Sequence, residues 1–508
     1  MRQLYSVVII LFFLAAGQPA GAQDLKKIEK YIEKARIDWG VPGLSVALVK
    51  DGEVIFNKSY GTLSVDGKTA VDENSLFAIA SNTKAFISTA LAVLVDEGKI
   101  DWDDQVTDYL PDFKMYDPYV TAEITIRDLL CHRAGLGTFS GDVIWYKSEK
   151  PASEIIKQIR HVPQAYSFRS GYGYSNLMFI TAGEVISAVT GKSWDMYVKE
   201  TFFEPLGMSR TVTSTSALEK MKNVATPHKS VDGINTPIKW VNWDNMGAAG
   251  GIISSTADMA KWINFNLNRG IIGEDTILSP DQQNVLWTIH NSFALTENAK
   301  EWIPGRHFNG YGLGWGLYDY FGRMVVTHSG GYDGMYSRVA MVPDENFGFV
   351  LLTNNMTGII TPMMMYLINS VLEEDPEDWS KKYLEREGDD SVAETIEEIK
   401  KVRIEGTQPI VSTEEMTGTY FDPMYGHIFV SNEDEVLRLE FEHAPDLSAE
   451  LVHWHNDSYE IKWDETHAWF DFGIVTFDSN NQMEVIGLTF QVPNYDIFFH
   501  EIEPEKAD

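Results

Sequence analysis

One cysteine, Cys131, is all that the 508 residues contain, so no disulfide can form within the chain. It lies in Ile126-Arg127-Asp128-Leu129-Leu130-Cys131-His132, which reads as a helix end. A buried structural thiol suits that setting better than a nucleophile activated by His132. Positive charge is also scarce. Lys and Arg number 41 against 74 Asp and Glu, and the formal charge of −33 argues against nucleic acid or anionic lipid as a partner. Long apolar runs are absent beyond the N-terminal segment, so no later stretch has the length to span a bilayer as a helix. That first segment places Arg2 before Val7-Val8-Ile9-Ile10-Leu11-Phe12-Phe13-Leu14-Ala15-Ala16, with Ala20-Gly21-Ala22 ahead of Gln23. It reads as a signal peptide over residues 1–22, which makes the protein an exported one, periplasmic or extracellular. No cysteine follows the run to take a lipid anchor.

What is present is a large apolar complement, 44% hydrophobic and 12% aromatic, enough for more than one domain. Helical periodicity over residues 25–39 ends at Val41-Pro42-Gly43. Strands are expected at 44–50 and 53–60, joined by the turn Asp51-Gly52, and again at 312–318, 324–327, 337–342 and 347–353. Helices and loops fill the interval. The pattern predicts an α+β domain in which one antiparallel sheet is built from both chain ends and flanked by helices. A closing helix at 363–373 leads into acidic clusters, so 373–413 reads as a linker with a charged helix near 394–402. Beyond residue 414, short alternating segments predict about eight strands in a small all-β barrel or sandwich.

Ser81-Asn82-Thr83-Lys84 is the stretch with the most chemistry in it. A run of apolar residues follows as far as Gly98, predicting a buried helix. The i,i+3 spacing puts Ser81 and Lys84 on one face, where a desolvated amine can take the proton of a hydroxyl nucleophile. Taken alone, the same residues also suit a helix cap and a surface amine. Tyr174-Ser175-Asn176 stands at a loop-to-helix junction, where a phenolate favoured by a nearby cation can shuttle protons and an amide can bind a substrate carbonyl. His328-Ser329-Gly330-Gly331 runs off an apolar strand into glycine. Glycine there admits a substrate backbone, a free N–H can complete an oxyanion hole, and His328 adds a proton carrier or polarising donor. Ser255 and Asp258 suggest a capping box after the glycine-rich turn at 247–251. His453 and His455 share an alternating strand with His467 not far off, a pattern read as barrel exterior rather than as a metal site. No metal and no cofactor are expected.

Ser-x-x-Lys at Ser81, Tyr-Ser-Asn at Tyr174 and His-Ser-Gly at His328 together resemble the penicillin-recognising serine hydrolases in order and separation. The likeness is greatest to the branch of class C β-lactamases, DD-peptidases, D-aminopeptidases and related esterases. Residues 125–136, Ala249-Gly250-Gly251 and 310–315 extend it to about residues 25–369. The resemblance implies a β-lactamase/transpeptidase-like fold: a sheet domain over 23–372 with an all-helical lobe and the cleft between them. It implies Ser81 as the acylated nucleophile, Lys84 and Tyr174 as a shared general base, and Asn176, His328, Ser329 and Gly330 as substrate-binding residues. The N–H groups of Ser81 and Gly331 would form the oxyanion hole. His328 stands where β-lactamases carry lysine, which favours a peptidase of the DD-peptidase or D-aminopeptidase type. A carboxylesterase, a β-lactamase and a penicillin-binding sensor with slow deacylation are the alternatives. Residues 414–508 resemble the lipocalin-like domains attached to some of these peptidases, where they border the active site or support homo-oligomers. The expected partner is a small-molecule or peptide substrate.

Overall fold

The computed structural model describes residues 21–303, 305–372, 377–386 and 391–507. The expected signal peptide, apart from its last two residues, lies outside them, as do two acidic clusters of the expected linker. Helix α1 (Gly21–Asp38) precedes the hairpin β1 (Gly43–Lys50) and β2 (Glu53–Gly61), where Asp51 and Gly52 both adopt left-handed backbone conformations. Every residue of β1 but the last is buried, as its unbroken apolar character requires of a strand covered on both faces.

The rest of the sheet comes from late in the chain: β3 (Asn291–Ser292), β4 (Asn309–Tyr311), β5 (Gly316–Tyr320), β6 (Arg323–Tyr332), β7 (Met335–Val342) and β8 (Phe347–Thr353). Together they form one eight-stranded antiparallel sheet in the order β2-β1-β8-β7-β6-β5-β4-β3. Two differences from the expected strands bear on the site. The run 312–318 is broken, because Gly314 turns left-handed where a Cβ would lie 2.4 Å from Ser88 Oγ. Strand β6 continues through the glycines to Tyr332, since β7 pairs with it residue by residue and supplies the ladder that local propensity does not.

On one face of the sheet lie α2 (Thr83–Asp96), α3 (Asn176–Thr190) and α4 (Thr256–Leu267), around a hydrophobic cluster that runs on into the C-terminal domain. On the other face, α1 and α5 (Ile360–Val371) cover a second cluster. Helix α4 starts at Ser255, whose Oγ accepts from the Asp258 N–H at 3.3 Å. The expected capping box is incomplete, because the Asp258 carboxylate accepts instead from the N–H groups of Arg210 and Thr211. Short helices at Trp379–Leu384 and Ser391–Lys401 lie within the expected linker.

The C-terminal domain is a closed antiparallel barrel of eight strands, β9 (Gly418–Asp422) to β16 (Glu505–Lys506). It packs over the cleft that holds Ser81 through polar pairs. Lys229 donates to the carbonyls of His467 and Phe470 and to Asp471, and Lys147 and Lys239 both pair with Glu465. Glu501 accepts from Ser140 Oγ at 2.6 Å and from the Gly141 N–H at 2.7 Å. Truncating Glu501 leaves that N–H without its acceptor. We expect Glu501→Ala to lower unfolding stability by about 1–3 kcal/mol, measured by urea titration followed by circular dichroism.

Candidate active site

Ser81 stands on a short turn of 3₁₀ helix, Ala80–Asn82, that runs directly into α2. Ala80 is fully buried with φ +47°, a left-handed conformation that an alanine holds only when its surroundings impose it. Those surroundings are specific. The Ile79 N–H donates to Ile252 O, and the Ile79 carbonyl accepts from Asn82 Nδ2 at 3.2 Å and from Ser337 Oγ at 2.7 Å. Asn82 Nδ2 also donates to Ser337 Oγ at 2.8 Å. Gly330 lies against this turn, and a Cβ there would be 2.1 Å from the Ile79 carbonyl oxygen. Gly330 therefore packs under Ser81 and does not line the pocket, whereas His328, Ser329 and Gly331 do.

Lys84 is fully buried, and its Nζ has three close partners: Ser81 Oγ at 3.0 Å, Asn176 Oδ1 at 2.7 Å and Ala249 O at 2.8 Å. Two of these are carbonyl oxygens, which can only accept. A neutral amine gives its two N–H groups to them and turns its lone pair on the Ser81 hydroxyl. Burial pushes the Lys84 amine down to about 7, with the nearby Asp142 acting in the opposite direction. The glycine-rich turn at 247–251 thus reaches the chemistry through the Ala249 carbonyl.

Asp142 was not singled out in the sequence. It lies fully buried in the pocket wall, accepts from Asn176 Nδ2 at 2.6 Å, and is pushed up to about 8 by burial. The chain Asp142, Asn176, Lys84, Ser81 is continuous, and it fixes the Asn176 amide with its oxygen toward the amine. One Asn176 N–H remains for a substrate. Nothing in the loop 138–150 marks Asp142 beyond the Gly141-Asp142 pair, because the partners that make it special come from α2 and α3.

Tyr174 lies beside Ser81, whose hydroxyl acts on its phenol, and its ring lies 4.8 Å from Lys84 Nζ. The sequence suggested a favoured phenolate. Burial instead pushes the Tyr174 phenol well above its ordinary value, so the group stands as a proton donor beside a neutral amine. His328 differs from expectation in a related way. Its Nδ1 is 2.5 Å from Ser329 O and must donate, so Nε2 accepts from Tyr311 Oη at 2.7 Å. Burial pushes the ring down to about 3, leaving it neutral with neither nitrogen free as a proton carrier. His132 packs 4.2 Å from the Tyr174 ring and accepts from the Ser175 N–H, while burial pushes the Cys131 thiol up to about 12, as suits a structural role. A bulge separates His453 from His455, His453 Nε2 sits 2.9 Å from Asn456 O, and His467 is buried against Phe470.

Strand β6 pairs with β7 as far as Tyr332 but with β5 only as far as Thr327. The edge from His328 onward is left open on a cavity of about 440 Å³ that also holds Ser81, Asp142, Tyr174 and Asn176. The barrel closes the cavity with Trp469, Asp496 and Ile497. Trp469 approaches Gly331 so closely that a Cβ there would lie 3.2 Å from its indole ring. A barrel strand begins at Ile474, and the loop before it carries Trp469 into the cleft.

A sheet sandwiched by helices, with Ser-x-x-Lys on a helix start beside an open glycine edge, defines the serine hydrolases of the β-lactamase and penicillin-binding type. The chain belongs to the beta-lactamase family, whose profile matches residues 28–360, while residues 402–506 match a domain of unknown function, DUF3471. It is 31% identical over 446 residues to "Unguisins hydrolase ungD'" of Aspergillus campestris, covering 83% of this chain and 79% of that one. "Protein flp" of Staphylococcus aureus is 28% identical over 353 residues, covering 68% and 66%. The fold is also that of the octameric penicillin-binding protein homologue from Pyrococcus abyssi, with a TM-score of 0.62, 21% identity, and 95% and 100% of the two chains covered.

Proposed function

We propose that the protein is an exported peptidase that cleaves a peptide or amide through an acyl-enzyme on Ser81. The observation that carries this reading is the Lys84 amine, pushed down to about 7 by burial and aimed at Ser81 Oγ by two carbonyl acceptors. In the reaction, Lys84 Nζ takes the Ser81 proton as Oγ attacks the substrate carbonyl carbon. The N–H groups of Ser81 and Gly331 hold the resulting oxyanion. Tyr174 gives its proton to the leaving nitrogen and regains one from the Lys84 ammonium, so the amide bond breaks without separating charge in a buried site. Water then takes the place of the leaving amine and the same steps run in reverse. A peptidase is favoured over an esterase because Tyr174 stands as a phenol, ready to protonate an amine that would otherwise be a poor leaving group. Export rests on residues 1–22 and is tested by N-terminal sequencing of the secreted protein, with Gln23 as the expected first residue.

Mass spectrometry of intact protein treated with a fluorophosphonate tests the nucleophile. One adduct is expected on the wild type, located at Ser81, and none on Ser81→Ala. Labelling elsewhere, or none, overturns the assignment. Aminoacyl p-nitroanilides in D and L forms, set beside p-nitrophenyl esters and a penicillin, then separate peptidase from esterase and β-lactamase.

A further inference from the structure

The two ends of the open β6 edge are built from different chemistry. At the His328 end stand Tyr311, bonded to His328 Nε2, and Arg338, which lies directly across from Ser329 on β7. Tyr172 completes that end, its ring 6.2 Å from that of Tyr311. At the Gly331 end the wall is apolar. Trp469 comes within 3.2 Å of a Cβ placed on Gly331, and the Trp243 ring lies 4.7 Å from that of Tyr332, the next residue of the strand. Trp145 meets Trp243 edge to face at 5.4 Å. A Cβ on Gly250 would lie 3.0 Å from Trp243 and 3.2 Å from Met246 Sδ, so Met246 belongs to the same wall. All four side chains line the catalytic cavity, and no step of the proposed reaction uses them.

The wall is held in place from behind. Trp243 Nε1 donates to Asp333 at 3.1 Å, and the fully buried Asp333 also accepts from Tyr146 Oη at 2.8 Å. Rings that need no reordering let a guest keep more of the free energy that apolar burial supplies. Two carboxyls share the cavity, Asp142 and Asp496, and burial pushes them up to about 8 and about 7. Surroundings that disfavour charge on an acid suit a neutral ring better than a cation.

Resting on the acyl-enzyme reading above, we infer that the protein selects substrates whose acyl residue, the one joined to Ser81, carries an aromatic side chain, seated among Trp145, Trp243, Met246 and Trp469. The orientation follows from the proton path. Tyr174 protonates the leaving nitrogen, and its ring lies 6.2 Å from that of His328, so the leaving residue takes the polar end. The acyl carbonyl points its oxygen at the Gly331 N–H, and Gly331 is where Trp469 meets the strand. The side chain next to that carbonyl is therefore the one within reach of the tryptophans. Contact between rings adds to what apolar area alone provides, which sets an aromatic side chain above an aliphatic one.

The test series is X-glycinamide, with X phenylalanyl, leucyl, alanyl or lysyl in D and L forms, so that the leaving group is constant. With the wild type, kcat/KM for the phenylalanyl member of the preferred configuration should exceed that for the alanyl member by about 10- to 100-fold. Leucyl should fall between them and lysyl below leucyl. Calorimetric binding of the same compounds to Ser81→Ala protein should give the same order without turnover. Trp469→Ala, which truncates a half-buried residue of a barrel loop, should lower the phenylalanyl-to-alanyl ratio by about 3- to 10-fold. Tyr172→Ala, at the polar end, should leave that ratio unchanged. Each ratio is internal to one protein, so a general loss of binding cancels. A phenylalanyl member no better than the leucyl or alanyl one overturns the inference, as does an equal fall of the ratio in the two variants. A preference for lysyl also overturns it, since that would make the pocket a cation site. The aromatic order in binding without fluorophosphonate labelling of Ser81 would leave the pocket standing and remove the hydrolase reading instead.

Discussion

Lys84→Ala lowers kcat/KM for an activated amide by about 100- to 10,000-fold, the range for loss of a positioned general base. The expectation rests on the amine's three partners, because among the described residues no other basic group has its lone pair directed at Ser81 Oγ. His328 and His132 are kept neutral by burial, and each has its lone pair committed, His328 Nε2 to Tyr311 Oη and His132 Nδ1 to the Ser175 N–H. Alanine also leaves a cavity at a fully buried site, so Lys84→Met, which fills the volume and strands the same two carbonyls, is the better probe of chemistry as distinct from packing. The wild-type pH profile provides an independent check. Only the neutral amine accepts the Ser81 proton, so kcat/KM should rise with pH through a midpoint near 7, the value to which burial pushes Lys84. Asp142 titrates in the same range and is linked to Lys84 through Asn176, so the limb reports the pair rather than either group alone. In Asp142→Asn the carboxyl's attraction for the ammonium is gone, and the midpoint should move to lower pH. A profile flat between pH 5 and 9, measured with a substrate that does not titrate there, would exclude Lys84 as the base.

The parts of this site that could be read in the sequence are those whose geometry is local. Ser81 and Lys84 are one helical turn apart, and Tyr174 and Asn176 flank a helix start, so spacing alone places each pair. The hairpin at Asp51-Gly52 and the count of barrel strands were legible for the same reason. Asp142, Arg338, Trp469 and Asp496 had no such signal. Each depends on segments far apart in the chain being brought to one cavity, and Trp469 comes from a loop that alternation alone does not mark. Protonation states are not legible in the sequence where burial outweighs nearby charge, as at Tyr174 and His328. A phenol beside an amine suggests a phenolate only if the charge nearby outweighs burial, and burial both raises the Tyr174 phenol and lowers the Lys84 amine to about 7.

Gly330→Ala should do more harm than any other single methyl group added along the open strand. Its Cβ would lie 2.1 Å from the Ile79 carbonyl oxygen, 2.5 Å from Ser337 Oγ and 3.0 Å from Ala80 Cβ. The first is backbone within the nucleophile turn, already held left-handed at Ala80, so relief requires moving the turn itself. A shift of about 1 Å in Ser81 relative to Lys84 is worth about 100-fold in rate, and overpacking of this kind costs about 1–3 kcal/mol of stability. The neighbouring Gly331→Ala meets only side chains, Tyr336 at 3.1 Å and Trp469 at 3.2 Å, and these can give way. Gly331→Ala should therefore fold with near-normal stability and lose activity mainly through KM as Trp469 is displaced, whereas Gly330→Ala should lose kcat. Thermal unfolding and steady-state kinetics on both variants distinguish the two. Equal effects would mean that β6 does not hold Ser81 in place through Gly330, and that the left-handed turn is maintained by the Ser337 and Asn82 hydrogen bonds alone.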